Sequence, residues 1–495
     1  MDWKKIWVNK SIAILVALLL TCYAWNAKAQ QSHSLFLMHY LPQSNLLNPA
    51  VPISCKWYIG LPVISSLHVN YANSGFSYNN VFKPTGEGTY QADVDGAVKR
   101  LGYRNLLGAE THIQLAGIGY REGDYSFMFT LTEKTNLPFI YPKEVIQLAW
   151  DGNSGFEGEE ANLRGTGLFF THYREYALSV SKHAGKGLYY GLRAKLLFGK
   201  LNVATRSTDV GVFTDRNTFN LNFEGDLKVH SSLPLVVETN DGNVTGIAAD
   251  ENADIQALIF NRKNPGFALD AGIIYPYSDK IVLSASVLDV GFIRWRSNLN
   301  TFRGNGNFEY TGPPLDSILA GDTYFDNLFE SFSDSMNLTH SSEKYTSVLP
   351  PRIIAGASYA ATPKLSAGAQ AELLVYRTKT IPSLTLSANY NFFGYSYLMA
   401  SYTIQYHTLR NFGLGFAFGR SPVQFYIVSD NAAGFIWPLS ARNINLRFGL
   451  NINLGCSERI EQNTTGKGAL QGNCYWLEKS IQKNYDKQKE KKSKR

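Results

Sequence analysis

Between Arg442 and Leu454 the chain reads Arg-Asn-Ile-Asn-Leu-Arg-Phe-Gly-Leu-Asn-Ile-Asn-Leu. No other stretch constrains the fold as tightly. Ile444, Leu446, Phe448, Leu450, Ile452 and Leu454 fall on one face of an extended chain, because strand side chains alternate. Asn445, Arg447, Gly449, Asn451 and Asn453 fall on the other. One face is wholly apolar and the other wholly polar, over about the length a tilted strand needs to cross a bilayer. A strand of a soluble sandwich can show the same pattern, so recurrence decides between the two.

The pattern recurs along the chain. Tyr125, Phe127, Phe129 and Leu131 alternate with Ser126, Met128, Thr130 and Thr132. Leu188, Tyr190, Leu192, Ala194, Leu196 and Phe198 form another apolar file. Arg193 and Lys195 then point the other way, into a lumen, because a charge at the lipid midplane costs about 2–4 kcal/mol. Asp270 lies opposite Phe267, Leu269, Ala271 and Ile273, and Phe412, Leu414, Phe416 and Phe418 alternate with small residues. Aromatic, Gly-rich composition with few charges (29 Tyr, 29 Phe, 42 Gly and 18% charged in 495 residues) suits such strands. The expected fold is all-β: a transmembrane antiparallel β-barrel of about 14–16 strands set in outer-membrane lipid. An N-terminal plug and a C-terminal periplasmic tail complete it. The mean hydropathy of −0.17 is no objection, because alternation averages out.

The chain begins as an exported protein does. Lys4, Lys5 and Lys10 precede the apolar run Ile12 to Leu20, and Ala27-Lys28-Ala29 fits a cleavage site. Residues 1–29 therefore read as a signal peptide. A lipid anchor on Cys22 is the alternative, which Thr21 disfavours. The net charge of +7 comes entirely from the two ends: the signal carries +3 and the tail from Glu478 to Arg495 carries +5, which leaves −1 for the rest. The body is near neutral, so nucleic acid is not an expected partner.

Residues 30–64 are apolar, contain several prolines and lack a period of two. Proline cannot donate to a strand ladder, so this segment reads as a plug inside the lumen, with Asn45, Asn48, Pro49 and Ala50 at its heart. A plain turn at Asn48-Pro49 is the simpler reading of that dipeptide. The barrel is expected over 65–455, starting with a hairpin of Ser65 to Tyr71 and Gly75 to Phe82. Short helices are expected at Pro142 to Trp150 and near Ala253 to Phe260. An acidic amphipathic helix over about 313–335 either caps the barrel mouth or covers an apolar patch of its own loop. Residues 456–495 form a Cys-flanked loop and a basic tail. A Cys456–Cys474 disulfide with Cys55 free is expected in an oxidising compartment, against the alternative that all three thiols are reduced.

His39-Tyr-Leu-Pro-Gln-Ser-Asn-Leu-Leu-Asn-Pro-Ala50 and Tyr58-Ile-Gly-Leu-Pro62 resemble the start of a Bacteroidota outer-membrane barrel family of unknown function. Gly266-Phe-Ala-Leu-Asp-Ala-Gly272 and Leu288-Asp-Val-Gly-Phe-Ile-Arg-Trp-Arg296 resemble the same family. An early Asn-Pro-Ala is also similar to barrels of that phylum that look like the long-chain fatty-acid transporter, some of which serve secretion and gliding. The resemblance implies the barrel and its location, and it brings no known site residues.

The sequence shows none of the common hydrolase, nucleotide or zinc-protease motifs, and no metal, cofactor or catalytic residue is nominated. His39, His172 and His183 read as structural. Two functions stay open. One is a transporter or channel for hydrophobic or amphipathic small molecules, motivated by the plug, the aromatic content and the long loops. The other is a structural or secretion-associated barrel that docks a periplasmic or surface protein, motivated by the basic tail and the acidic insertion. Arg193, Lys195, Asp270, Arg447, Asn451 and Asn453 are the lumen candidates; pairing with one another or anchoring the plug is the plainer role for them.

Overall fold

The computed structural model describes residues 33–456, except 87–88, 185–186, 313–321, 377–379 and 406–407. The signal segment, the tail from residue 457, Cys474 and the first part of the acidic insertion lie outside the described residues.

Fourteen antiparallel strands close into a barrel. β1 comes in two pieces, Trp57–Gly60 and Leu67–Asn73. It is followed by β2 (Asn105–Glu122), β3 (Tyr125–Tyr141), β4 (Gly167–His183) and β5 (Tyr189–Thr214). Next are β6 (Pro265–Pro276), β7 (Ile281–Trp295), β8 (Arg352–Ala360), β9 (Leu365–Val375) and β10 (Thr380–Phe392). β11 (Ser396–Gln405), β12 (Thr408–Phe418), β13 (Val423–Ser429) and β14 (Asn443–Leu454) complete the wall. Each strand pairs with the next, and β14 returns to β1 in the registers Trp57↔Leu454 and Leu67↔Phe448. Closure leaves the wall no edge with unpaired backbone groups.

The strands form where the alternation is strict, and burial is inverted relative to a soluble sheet. On β14 the polar file Asn443, Asn445, Arg447, Asn451 and Asn453 is buried, while Leu450 and Leu454 are exposed. On β5 Leu192 is 64% exposed and Leu196 57%, while Arg193 and Lys195 between them are 3% and 2% exposed. Among the described residues no helix is long and apolar enough to cross a membrane, which says nothing about crossing by strands.

The two ends of the barrel differ. Short connections, such as those at 123–124, 277–280 and 361–364, join strands at one end, where Trp57 and Leu454 also lie. The other end carries the long connections. There the far half of β5 leaves β6 and pairs with Leu221–Ser232, which pairs with Leu299–Tyr310, so part of the sheet projects past the wall. The sequence pattern did not single out Leu299–Tyr310 as a strand.

Several expected elements are corrected. Gly75 to Phe82 is not the second arm of a hairpin. Tyr78–Val81 is a short helix, and Phe82–Pro84 pairs with Tyr90–Ala92 in a separate small sheet. Trp57–Gly60, expected within the plug segment, belongs to the wall and pairs with both β14 and β2. Residues 61–66 loop out of the ladder around Pro62, and Gln114 N donating to Ser66 O resumes it. The acidic helix is described over Asp322–Ser335. Phe332 packs against Phe308 with ring centroids 5.3 Å apart, so this helix covers a patch of its own loops.

The N-terminal segment lies against the inner face of the wall. Leu35, Phe36, Met38 and Leu41 are fully buried among Met399, Ala417, Tyr426 and Val428. Two wall glycines allow its close approach. A Cβ on Gly191 would lie 2.1 Å from Pro49 O, and one on Gly272 would lie 2.0 Å from Asn48 Oδ1. Overpacking of this kind costs about 1–3 kcal/mol. Gly191→Val should therefore expose the segment to added protease near residue 50 and lower the thermal midpoint of the detergent-folded barrel. Unchanged protection and midpoint would count against this packing.

Candidate functional site

Alternation alone brings charges inward, and inside a barrel each must find a partner. Arg193 on β5 stands opposite Asp270 on β6, with Nη1 2.8 Å from Oδ2. Lys195 Nζ lies 2.8 Å from the same Asp270 oxygen and 2.6 Å from Asp289 Oδ1. Glu175 on β4 is 3.8 Å from Lys195 and 2.8 Å from Lys134 on β3. Asp289 reaches the group because the β6–β7 register shifts at Asp270. Its φ is +60°, and its backbone N donates to Asp270 Oδ1 at 2.7 Å. A network of alternating sign thus runs along the wall from β3 to β7.

Arg193 also ties this network to the N-terminal segment. It donates to Asn45 Oδ1 at 2.7 Å and to Leu46 O at 3.1 Å, and it also bonds Asn45 O. Asn45 Nδ2 in turn donates to Val51 O at 2.7 Å. Asn48 forms the expected turn, its Oδ1 accepting from Ala50 N at 3.0 Å, and Nδ2 donates to Ile273 O of the wall at 3.3 Å. Asp430 accepts from the backbone N of His33 and of Ser34, at 3.1 and 2.6 Å.

The six lumen candidates occupy three places. Arg193, Lys195 and Asp270 meet in the network. Arg447 stands apart on β14, donating to Ser66 Oγ at 3.0 Å. Asn451 exchanges hydrogen bonds with Gln43 of the N-terminal segment, at 2.6 and 3.0 Å. Asn453 reaches Gln424 Oε1 at 3.4 Å. His172 and His183 lie beside Glu133 at 2.9 Å and Asp124 at 3.2 Å. His39 is buried in the N-terminal segment.

Lys134, Glu175, Asp289, Arg352 and Glu372 were not nominated from the sequence. Four of them follow the inward file of strands whose alternation is legible, so the same rule could have found them. Asp289 could not be found that way, because a bulge places it. Arg352 and Glu372 pair at 2.9 Å, and Glu372 lies 3.1 Å from His33 Nδ1.

Between the network and the N-terminal segment lies a small chamber of about 70 Å³. Lys134, Glu175, Arg193, Lys195, Arg352 and Arg447 supply charges to its wall. Leu46, Leu47, Tyr173, Leu349, Pro350 and Tyr376 supply apolar surface. The chamber is mixed in character, with Lys134, Glu175, Arg193, Lys195 and Arg352 already ion-paired.

The expected Cys456–Cys474 bridge is corrected. Cys456 is bonded to Cys55, 401 residues away in sequence. The pairing follows from closure of the barrel. Cys55 precedes Trp57 and Cys456 follows Leu454, and those two strand ends are partners across the β1–β14 seam.

Residues 49–430 match the model of a family of unknown function (DUF5723). No curated protein matches the chain. Similar solved structures include the toluene transporter TbuX of Ralstonia pickettii, at 9% identity over 83% of this chain and 93% of that one, with a TM-score of 0.40. A FadL homologue of Pseudomonas aeruginosa is 11% identical over 88% and 100%, with a TM-score of 0.39. The toluene transporter TodX of P. putida is 9% identical over 82% and 92%, with a TM-score of 0.37.

Asp270→Asn should leave the buried Arg193 without a carboxylate, while Lys195 keeps Asp289, and cost about 3–5 kcal/mol of stability. Urea unfolding of the barrel in detergent would read this as a lowered midpoint. Non-reducing peptide mapping should recover a Cys55–Cys456 crosslinked peptide, with Cys474 alkylated. A Cys456–Cys474 peptide would contradict the bridge described here.

Proposed function

The chain belongs to the family of unknown function DUF5723, and from that premise we propose that it is an outer-membrane barrel passing small amphipathic molecules through the lumenal chamber, with the N-terminal segment as a plug. The observation that carries the proposal is the chamber itself. At about 70 Å³ it is smaller than the roughly 300–1,000 Å³ of common ligand sites, so passage requires the N-terminal segment to shift and widen it. Its leucines and tyrosines suit an apolar body. Its paired charges suit a polar or ionised head, which can exchange hydrogen bonds with them. A bare hydrocarbon would leave that charged rim desolvated without return.

Membrane placement rests on the inverted surface. An exposed belt that includes Leu192, Leu196, Phe412 and Leu414 would cost roughly 25 cal/mol per Å² in water and nothing against lipid tails. Barrels of this kind place short turns in the periplasm and long loops outside the cell. That convention sets the Cys55–Cys456 bridge in the periplasm, where disulfides persist. The docking alternative gains little from the described residues, because the acidic helix already has Phe332 against Phe308.

Uptake into liposomes tests the proposal. The purified barrel is reconstituted and supplied with a fluorescent amphipathic carboxylate or with a neutral sugar of similar size. The wild type should admit the carboxylate in preference. Gln43→Ala with Asn45→Ala, which removes the plug's side-chain bonds to Asn451 and Arg193, should raise the rate several-fold. Leu47→Trp, which fills the chamber, should suppress it. Rates equal to protein-free liposomes for both the wild type and the loosened variant would overturn the reading.

A further inference from the structure

A second cluster stands on the chamber wall, apart from the β3–β7 network. β1 and β2 run side by side in the registers His68↔His112 and Asn70↔Glu110. Val69 and Tyr71 are exposed on the outer face, so His68 and Asn70 point inward. Glu110 and His112 line the chamber. His68, Glu110 and His112 each bring one donor atom to a place where all three lie within 4.8 Å of one another.

A hydrogen-bond-length contact accounts for two of the three, since His112 Nε2 lies 2.8 Å from Glu110 Oε1. It does not account for His68. That side chain is 2% exposed, and its Nδ1 is buried with no hydrogen-bond partner among the described residues. A buried ring nitrogen without a partner is costly unless something takes its lone pair or its proton. Asn70 Nδ2 lies 3.5 Å from Glu110 Oε2, where it can steady the carboxylate as an outer-shell group does.

We propose that His68, Glu110 and His112 bind a divalent transition-metal ion of the zinc type. Two imidazoles and one carboxylate form a three-ligand set that such ions accept, with a remaining position for water or another ligand. Glu110 and His112 line the chamber, so an ion held there would lie at its wall. Two cations share the cross-strand row: Arg447 next to His68 and Lys134 next to His112. They lower the affinity for any dication. They weigh most against calcium or magnesium, which rely on several charged oxygens, and least against an ion held by imidazole nitrogens. The site does not depend on the transport reading and would stand if that reading fell.

The test uses the full chain, folded in detergent and stripped with a chelator. Zinc is titrated by calorimetry, and cupric ion is added separately for electron paramagnetic resonance. One zinc per chain is expected, with no comparable heat from magnesium. His68→Ala and His112→Ala should each weaken zinc by roughly tenfold or more. The copper spectrum of the wild type should show coupling to two imidazole nitrogens, a readout that needs no variant to fold. No saturable zinc binding by the folded wild type, affinity unchanged in folded His68→Ala, or a copper spectrum without two imidazoles would overturn the proposal.

Discussion

The structure depends on one seam, where the first strand meets the last. Until β14 pairs with β1, every ladder in the wall ends at an edge, and two rows of backbone groups have no partners. Trp57↔Leu454 and Leu67↔Phe448 remove those edges together. The inverted surface follows from closure. A closed ring of alternating strands has an inside and an outside, and a polar file can be satisfied only where it faces other polar files. The lumen collects the charges for that reason, and their pairing follows from the cost of leaving any one of them alone.

The lumen is therefore built from two kinds of contact. Apolar residues of the N-terminal segment fill one region beside Met399 and Tyr426. Elsewhere Arg193, through Asn45, joins the segment to a network of acids and bases. The chamber survives between them because the network draws its side chains to the wall and to one another. Its mixed lining results from this division between greasy filling and paired charge.

Much of this was legible in the sequence, and the part that was not has physical causes. Strict alternation located the strands of the last third and told which way Arg193, Asp270 and Arg447 point. It missed Trp57–Gly60, because four residues next to a proline carry too short a pattern to read. It missed Asp289, because a register shift at Asp270 redirects the residue. It also missed Leu299–Tyr310, whose partner is a projecting strand and not its sequence neighbour. The cysteine pairing failed for a related reason. Nearness in sequence favoured Cys474, while nearness in space is set by closure and brings Cys55 to Cys456. Local rules read the strands well; contacts that exist only after the ring closes escape them.

The Cys55–Cys456 bond has a mechanical consequence. It makes the entire wall, from Trp57 to Leu454, a covalent loop. A pull on either end of the chain reaches the crosslink before any strand, so force bypasses the ladders and passes from one terminus to the other. A machine that grips a terminus could drag the barrel as a body, but it could not unravel the wall strand by strand until that one bond had been reduced.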